Sequence, residues 1–397
     1  MAANLERHLQ CPWRQPYLNS HVSVLGDAML GSRPQIRTDF RMSSPYHRES
    51  PAHRTSLPEV LQRLPQSAPR TEDSASAGCT ADRILSLLTS SAYRKGSLEQ
   101  MRFSECGSSM LTCVEKCVRK RNPVQLTLMA FPFKVPNPAK VGPRQLPDLA
   151  ELIAILRLQR LNARIKAFYR PGLQVHIIHD GSYICDIFGV SLDEVRQYEH
   201  YFGFLVRAVG AEDFIRTHDF MDLFGCRIAE IEPRLSYLWG RSRHWCQSKR
   251  GTPEWTSRFA KTLGMINLRK LSVAAASRLT ALAACGELPA EYAEFELRAR
   301  QAMLRYYLRD YLLHAFDPRP QWFADAIHAT TQERPQRLAL WLVQRGRSLL
   351  PWHGVGIIDE RGEPSVVPAV QVIGNSSFQE IFVGEQNTPF LYLHKNN

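Results

Sequence analysis

An α/β fold, with a mainly parallel sheet between flanking helices and a helical layer beside it, is what this sequence predicts. Three observations carry that expectation. An apolar strand-forming run over Val124–Ala130 is followed by a helix-periodic stretch and then by a second β-branched run, Gln174–Ile178, in the order of a right-handed crossover unit. Both runs break into charged loops, FPFK at 131–134 and HDG at 179–181, at the strand ends where open α/β sheets bind ligands. Two long helical segments, Trp255–Ala284 and Ala290–Phe316, then form the companion layer.

Taken in order, residues 1–77 are rich in Arg, Ser, Pro and His without sustained periodicity, and are expected to be a disordered basic extension. The main domain is expected over 78–372. Its α/β core covers about 122–230 and 336–372, its helical layer about 250–320, and a tail follows over 373–397. Ile84, Leu85, Leu87, Leu88 and Tyr93 have helical spacing behind the cap candidates Thr80 and Asp82, and a second helix, with breaks, spans Ser97–Lys120.

After the first strand, Pro132, Pro136 and Pro138 stiffen a loop that carries Lys134 and Lys140. Such a mount suits a phosphate or carboxylate ligand or proton transfer; the plainer alternative is a pair of solvated lysines. Pro147-Asp148 starts the crossover helix, whose dipole Asp148 and Glu151 complement, and Pro171-Gly172 stops it. Topology puts Lys134 and Asp180 on the same side of the sheet, so both lysines and Asp180 are expected to line one pocket. Ser191 and Glu194 form a capping box for the next helix, and Phe214-Ile215 begins a further short strand. Arg305 or Arg309 is a candidate to reach a phosphate from the helical layer, the plainer alternative being a solvated surface arginine. Ala339–Val343 and Val355–Ile358 read as closing strands, with a hairpin turn at Glu360-Arg361-Gly362.

The chain is 397 residues long with 44% hydrophobic residues, enough for a sizeable core. Its formal charge of +12 comes from scattered arginines rather than from a basic helix face with interleaved aromatics, so nucleic acid is not the expected partner. Small anions are the better match. Nine cysteines without a CxxC pair read as reduced thiols, and no metal site is expected, since His218-Asp219 lacks ligand spacing. No phosphate-binding GxGxxG or P-loop pattern is present, so no cofactor is expected. No apolar run is long enough to span a bilayer, and Glu6, Asp27, Asp39 and Glu49 argue against a transit peptide; a cytoplasmic protein away from membranes is expected.

The ordered strings F-P-x-K-x-x-N-P-x-K-V, P-D, Y-x-P-G, D-G-x-x-x-x-D and P-W-H-G-V, between about Thr80 and Pro368, resemble the pyoverdine/dityrosine biosynthesis family. That resemblance implies a Rossmann-like domain with a helical companion. It also implies an isocyanide synthase acting in secondary metabolism, ahead of tailoring enzymes. Such an enzyme joins the α-amine of an L-amino acid, with tyrosine or tryptophan the first guess and an aliphatic residue possible, to the C2 ketone of ribulose 5-phosphate. It then fragments the sugar to leave an isonitrile. Amine attack needs a base and the carbinolamine needs an acid. Asp180 is the candidate base, Lys134 or Lys140 the acid and phosphate clamp, and His353 a proton shuttle, or else a turn histidine beside Trp352. Phe131, Asn137, Arg144, His179, Asp186 and Arg305 are the candidate substrate-binding residues. Two features differ from the family pattern: His179 stands where Ser is usual before Asp-Gly, and His328–Gln332 replaces an R-L-S-I-H run. A partner-binding relative without activity, a spore-wall enzyme of the N-formyl-tyrosine/dityrosine type and a basic nucleic-acid binder remain the alternatives.

Overall fold

The two apolar runs pair as parallel neighbours, in register from Val124 opposite Leu173 to Met129 opposite Ile178. The computed structural model describes residues 53–64, 80–96, 103–224, 240, 244, 247–286, 288–315, 319–333, 337–343, 349–384 and 387–396. In chain order these give β1 (His53–Thr55), α1 (Leu57–Arg63), α2 (Thr80–Thr89), α3 (Phe103–Arg119), β2 (Val124–Met129), α4 (Pro138–Val141), α5 (Leu149–Lys166) and β3 (Leu173–His179). Then come α6 (Gly181–Phe188), α7 (Leu192–Ala208), β4 (Ile215–Asp219), α8 (Phe220–Phe224), α9 (Pro253–Leu263), α10 (Val273–Ala284), α11 (Ala293–Ala315) and α12 (Arg319–Trp322). The chain closes with β5 (Ile327–Thr330), β6 (Leu338–Ala339), β7 (Val355–Ile358), β8 (Pro364–Val367), β9 (Phe378–Val383) and β10 (Leu391–His394).

One five-stranded sheet has the order β4-β3-β2-β5-β6, with every neighbouring pair parallel. Its central strands carry fully buried Leu126, Leu128, Val175 and Ile177, the apolar content expected of a sheet covered on both faces. Helix α5 starts as its sequence dictates: the Asp148 side chain accepts from the Ala150 amide while Glu151 reaches back to the Asp148 amide. Ser191 and Glu194 form the same device at the start of α7.

A second five-stranded sheet, order β1-β9-β10-β7-β8, mixes parallel and antiparallel pairs. Here the sequence expectation changes. The closing strand Val355–Ile358 joins this second sheet, and the tail expected to lie beyond the domain supplies β9 and β10, which are inner strands. Residues 53–64, inside the stretch expected to be without structure, supply an edge strand and a helix that buries Leu57 and Val60. Both segments are too short to show periodicity alone, and become ordered by pairing with strands remote in sequence. The rest of the expected extension, 1–52 and 65–77, lies outside the described residues.

In the helical layer α9 packs against α10 and α11 around Phe259, Leu279 and Ala299. The single helix expected over 255–284 is divided by a loop at 264–272, where the Leu268 amide donates to the Pro136 carbonyl at 2.8 Å and Ser272 caps α10. Among the described residues no helix is long and apolar enough to cross a membrane.

Candidate active site

The strand-end loop after β2 turns on Phe131, whose φ of 59° is unusual for a side chain other than glycine or asparagine. The surroundings hold it there. Its ring is fully buried, 4.6 Å from the ring of Phe202 and 5.1 Å from that of Trp352, and its carbonyl accepts from His179 Nδ1 at 2.8 Å. The turn delivers Pro132, Phe133 and Val135 to a cleft. Gly181 is required beside it, because a Cβ there would lie 2.1 Å from the Pro132 carbonyl oxygen. The HDG turn thereby brings Asp180 close to the FPFK turn, at the carboxyl ends of β2 and β3.

The cleft has a volume of about 400 Å³. Its apolar wall includes Phe133, Ile184, Phe188, Met265 and Tyr306, with the Phe188 and Tyr306 rings 5.6 Å apart. Its polar wall holds Asp180, Lys95, Lys261, Arg319, Arg337 and His353, together with Thr330, Thr331 and Gln332 at the end of β5. Asp180 sits at the start of α6 yet makes no capping hydrogen bond. Burial raises its carboxyl to about 6, against the pull of its own backbone amide and of Arg319. His353 ends a short 3-10 turn, Pro351–His353. Burial first, then Lys140, Lys261 and Lys134, push its imidazole well below the usual histidine range, so it is neutral near pH 7. The cleft lining thus holds both a carboxyl group able to exchange a proton near neutral pH and a neutral imidazole, among cations that favour small anions.

Of the ten residues singled out from the sequence, Asp180 and His353 line this cleft. Lys134 does not. Alternation along the loop sends Phe133 and Val135 to the cleft and turns Lys134 the other way, where its ammonium meets Asp148 Oδ1 at 3.1 Å, Glu151 Oε2 at 2.9 Å and two carbonyls. The expectation that Lys134 and Asp180 share a pocket is therefore corrected: the prolines stiffen the loop, but the stiffened loop points its lysine into the protein. Lys140 is not among the residues that line the cleft; its ammonium lies beside Gly264, and burial followed by Lys261 lowers it to about 8. Phe131 and His179 support the turn from below rather than lining the cleft. Asn137 caps α4 and donates to the Gly264 carbonyl at 3.1 Å. Arg144 is buried against Asp148 and donates to the Phe390 carbonyl at 3.1 Å. Asp186 and Arg305 pair with each other, and Arg309 bonds Asp186 as well, at 2.7 Å.

The sequence reading missed Arg319, Arg337, Lys261 and Lys95. Arg319 and Arg337 flank the run 328–332, so the cations absent from that run enter the cleft from its two sides in sequence. Arg319 is 1% exposed and donates to the Ala329 carbonyl at 3.2 Å. An arginine beside Pro320 at the start of the four-residue α12 gives no periodic signal that would have found it. Among the described residues no cluster of His, Cys, Asp or Glu is gathered to hold a metal ion.

Comparison with known proteins bears on this geometry. Residues 114–251, which contain both strand-end turns, match the pyoverdine/dityrosine biosynthesis protein family. The chain is 29% identical over 204 residues to the isocyanide synthase xanB of Aspergillus fumigatus, covering 49% of this chain and 24% of that protein. It is 27% identical over 119 residues to an L-tyrosine isonitrile synthase of Pseudomonas aeruginosa, 30% of this chain and 36% of the relative. To the L-tryptophan isonitrile synthase AmbI2 of Fischerella ambigua it is 30% identical over 140 residues, 35% and 42% of the two chains. The matches thus span less than half of each of these relatives. The crystal structure of PvcA from Pseudomonas aeruginosa superposes with a TM-score of 0.59 at 19% identity, covering 79% of this chain and 99% of that one, and shows a shared fold.

Proposed function

We propose, from the premise that the chain belongs to the pyoverdine/dityrosine biosynthesis family, that it is an isocyanide synthase acting on an L-amino acid. The observation that carries the reading is the cleft at the carboxyl ends of β2, β3 and β5, whose lining combines Asp180 and His353 with Lys and Arg side chains and with aromatic and apolar ones. The carbon donor in this proposal is ribulose 5-phosphate. Its phosphate and the amino-acid carboxylate are the anions that Arg319, Arg337, Lys261 and Lys95 attract. Phe133, Phe188, Ile184, Met265 and Tyr306 offer an uncharged surface to the amino-acid side chain, which favours tyrosine, tryptophan or an aliphatic residue over a charged one.

In this reading Asp180 takes the proton that keeps the α-amine from attacking and returns it to the carbinolamine hydroxyl as water leaves. A carboxyl at about 6 suits both directions near neutral pH, since neither proton gain nor loss is far uphill. His353, neutral and beside the same space, moves a second proton during fragmentation of the sugar. The working unit extends past residue 372 through β10, because Phe390 binds both Arg144 and the start of α5. A screen of the twenty amino acids with ribulose 5-phosphate, read by phosphate release and by mass spectrometry of the isonitrile, tests the proposal. One or a few apolar or aromatic substrates are expected, and no turnover with any of them overturns it.

A further inference from the structure

Lys134 is excluded from the cleft, yet it is not an ordinary buried ion pair. Two of its four polar contacts are backbone carbonyls: its ammonium donates to the Pro351 oxygen at 3.0 Å and to the Gly354 oxygen at 2.9 Å. These carbonyls bracket Trp352 and His353, both of which line the cleft. A third bond comes from the next loop residue, since the Val135 amide donates to the Trp352 carbonyl at 3.0 Å.

We infer that Lys134 is a positioning residue for His353, gripping the 351–354 turn from behind so that the imidazole is presented to the cleft. The turn is a single 3-10 turn of three residues, held internally by the His353 amide on Leu350 and the Gly354 amide on Pro351, the latter at 3.3 Å. So short a turn has poor hydrogen-bond geometry of its own and depends on outside partners. Lys134 supplies them from a rigid base. Its side chain is fully buried, Asp148 and Glu151 hold the ammonium from the start of α5, and Tyr198 donates to the other Glu151 oxygen at 3.0 Å. A methylene chain fixed at its charged end by two carboxylates loses little further freedom when it binds the turn. Gly356, just beyond, lets β7 close onto the same helix start, since a Cβ there would lie 2.4 Å from Leu149 Cβ. The loop that ends β2 thus shapes the cleft twice, by the turn at Phe131 on one face and through Lys134 on the other.

The kinetic part of this inference rests on the proposed isocyanide synthase activity; the geometric part does not. The test therefore reads His353 directly. Full-length chain carrying isotope-labelled histidine is examined by NMR, with the His353 ring resonance assigned from its loss in His353→Gln. Lys134→Met is compared with Glu151→Gln, which removes an ion-pair partner of Lys134 but leaves both bonds to the turn in place. Lys134→Met is expected to move or broaden the His353 resonance and to lower kcat tenfold or more, with KM for the amino acid changed less than threefold. Glu151→Gln is expected to lower the melting temperature and leave that resonance where it was. If Lys134→Met alone does not fold, the Lys134→Met/Glu151→Gln double variant, which removes one charge of each sign, takes its place. An unmoved resonance in the folded Lys134 variant overturns the inference, and so does an equal movement in Glu151→Gln, which would mark general loosening. A resonance that moves only with Lys134, in a protein whose parent shows no turnover, supports the positioning role while sinking the enzymatic reading.

Discussion

Two ionic regions lie on opposite sides of the same loop and handle charge differently. Behind the loop, Lys134, Arg144, Asp148, Glu151 and Tyr198 form a buried network in which two cations meet two carboxyl groups. Burial raises Glu151 there, and Lys134 opposes that rise. In front of the loop, the lining side chains among the described residues include Lys95, Lys261, Arg319 and Arg337 beside the carboxyl of Asp180, which makes no side-chain capping bond. The first region has matched charges and no room, and holds the fold; the second has an excess of one sign around open volume, and suits an anionic ligand. A lysine on a proline-rich loop can belong to either region, and which one is decided by the alternation of the chain.

The comparison breaks most severely if the tail is cut. Strands β9 and β10 are interior to the second sheet, and with the segment between them they bury Ile381, Val383, Phe390, Leu391 and Tyr392. At about 1.5–3 kcal/mol for each fully buried large apolar side chain, the loss is comparable with the roughly 5–15 kcal/mol that keeps a domain folded. Removal of residues 373–397 is expected to abolish cooperative unfolding by circular dichroism. A truncated chain melting within a few degrees of the parent would show that the tail is an accessory after all.

The next effect sharpens the contrast between network and cleft. Asp180→Asn should lower kcat by about 10² to 10⁴, since the amide cannot take the proton. Its effect on stability should have the opposite sign. The Asp180 carboxyl is raised to about 6, above the value near 4 of an unfolded chain, so the folded state holds this proton more tightly. Ionisation therefore costs stability at neutral pH, and that cost disappears as pH falls from about 6 towards 4. The amide removes the cost, and at pH 8 the variant should melt at or above the parent temperature. His353 works the other way: its depressed value favours the neutral ring, a contribution complete above about 6.5 and lost as pH falls below it. In the parent, kcat/KM should fall as pH drops through about 6. A flat profile there, or a variant as active as the parent, removes Asp180 from the chemistry.

How much of this was legible in the sequence follows from the range of each interaction. The crossover β2-α5-β3 could be read because period and capping are local: Asp148 and Glu151 stand three residues apart and serve the same helix end. The HDG turn could be read because a glycine next to an acidic residue after a β-branched run has few other uses. What a side chain faces beyond its own loop could not. Lys134 meets carbonyls more than two hundred residues away, and β1 pairs with β9 across a still longer separation. Arg319 and Arg337 were passed over because they lie outside any motif, and because a basic chain offers many arginines with nothing local to distinguish them.

The smallest effect concerns Arg305, which the sequence offered as a phosphate ligand from the helical layer. It is bound to Asp186, and Arg309 holds the same carboxylate through two bonds, at 2.7 and 3.2 Å. Burial lowers the Arg305 guanidinium somewhat, and Asp186 opposes that shift. Both partners keep about a quarter of their side-chain surface exposed, so water screens the pair. Arg305→Ala leaves Asp186 with Arg309, and the remaining pair is the more buried one. The expected loss is therefore about 1 kcal/mol or less, with KM for the proposed sugar-phosphate donor changed less than twofold. Arg319→Met is the contrasting variant, because that guanidinium borders the cleft and acts on Asp180: KM for the sugar phosphate should rise tenfold or more. Should the two variants raise KM equally, the anion site would reach into the helical layer, and the boundary between holding charge and binding charge would move to include Asp186.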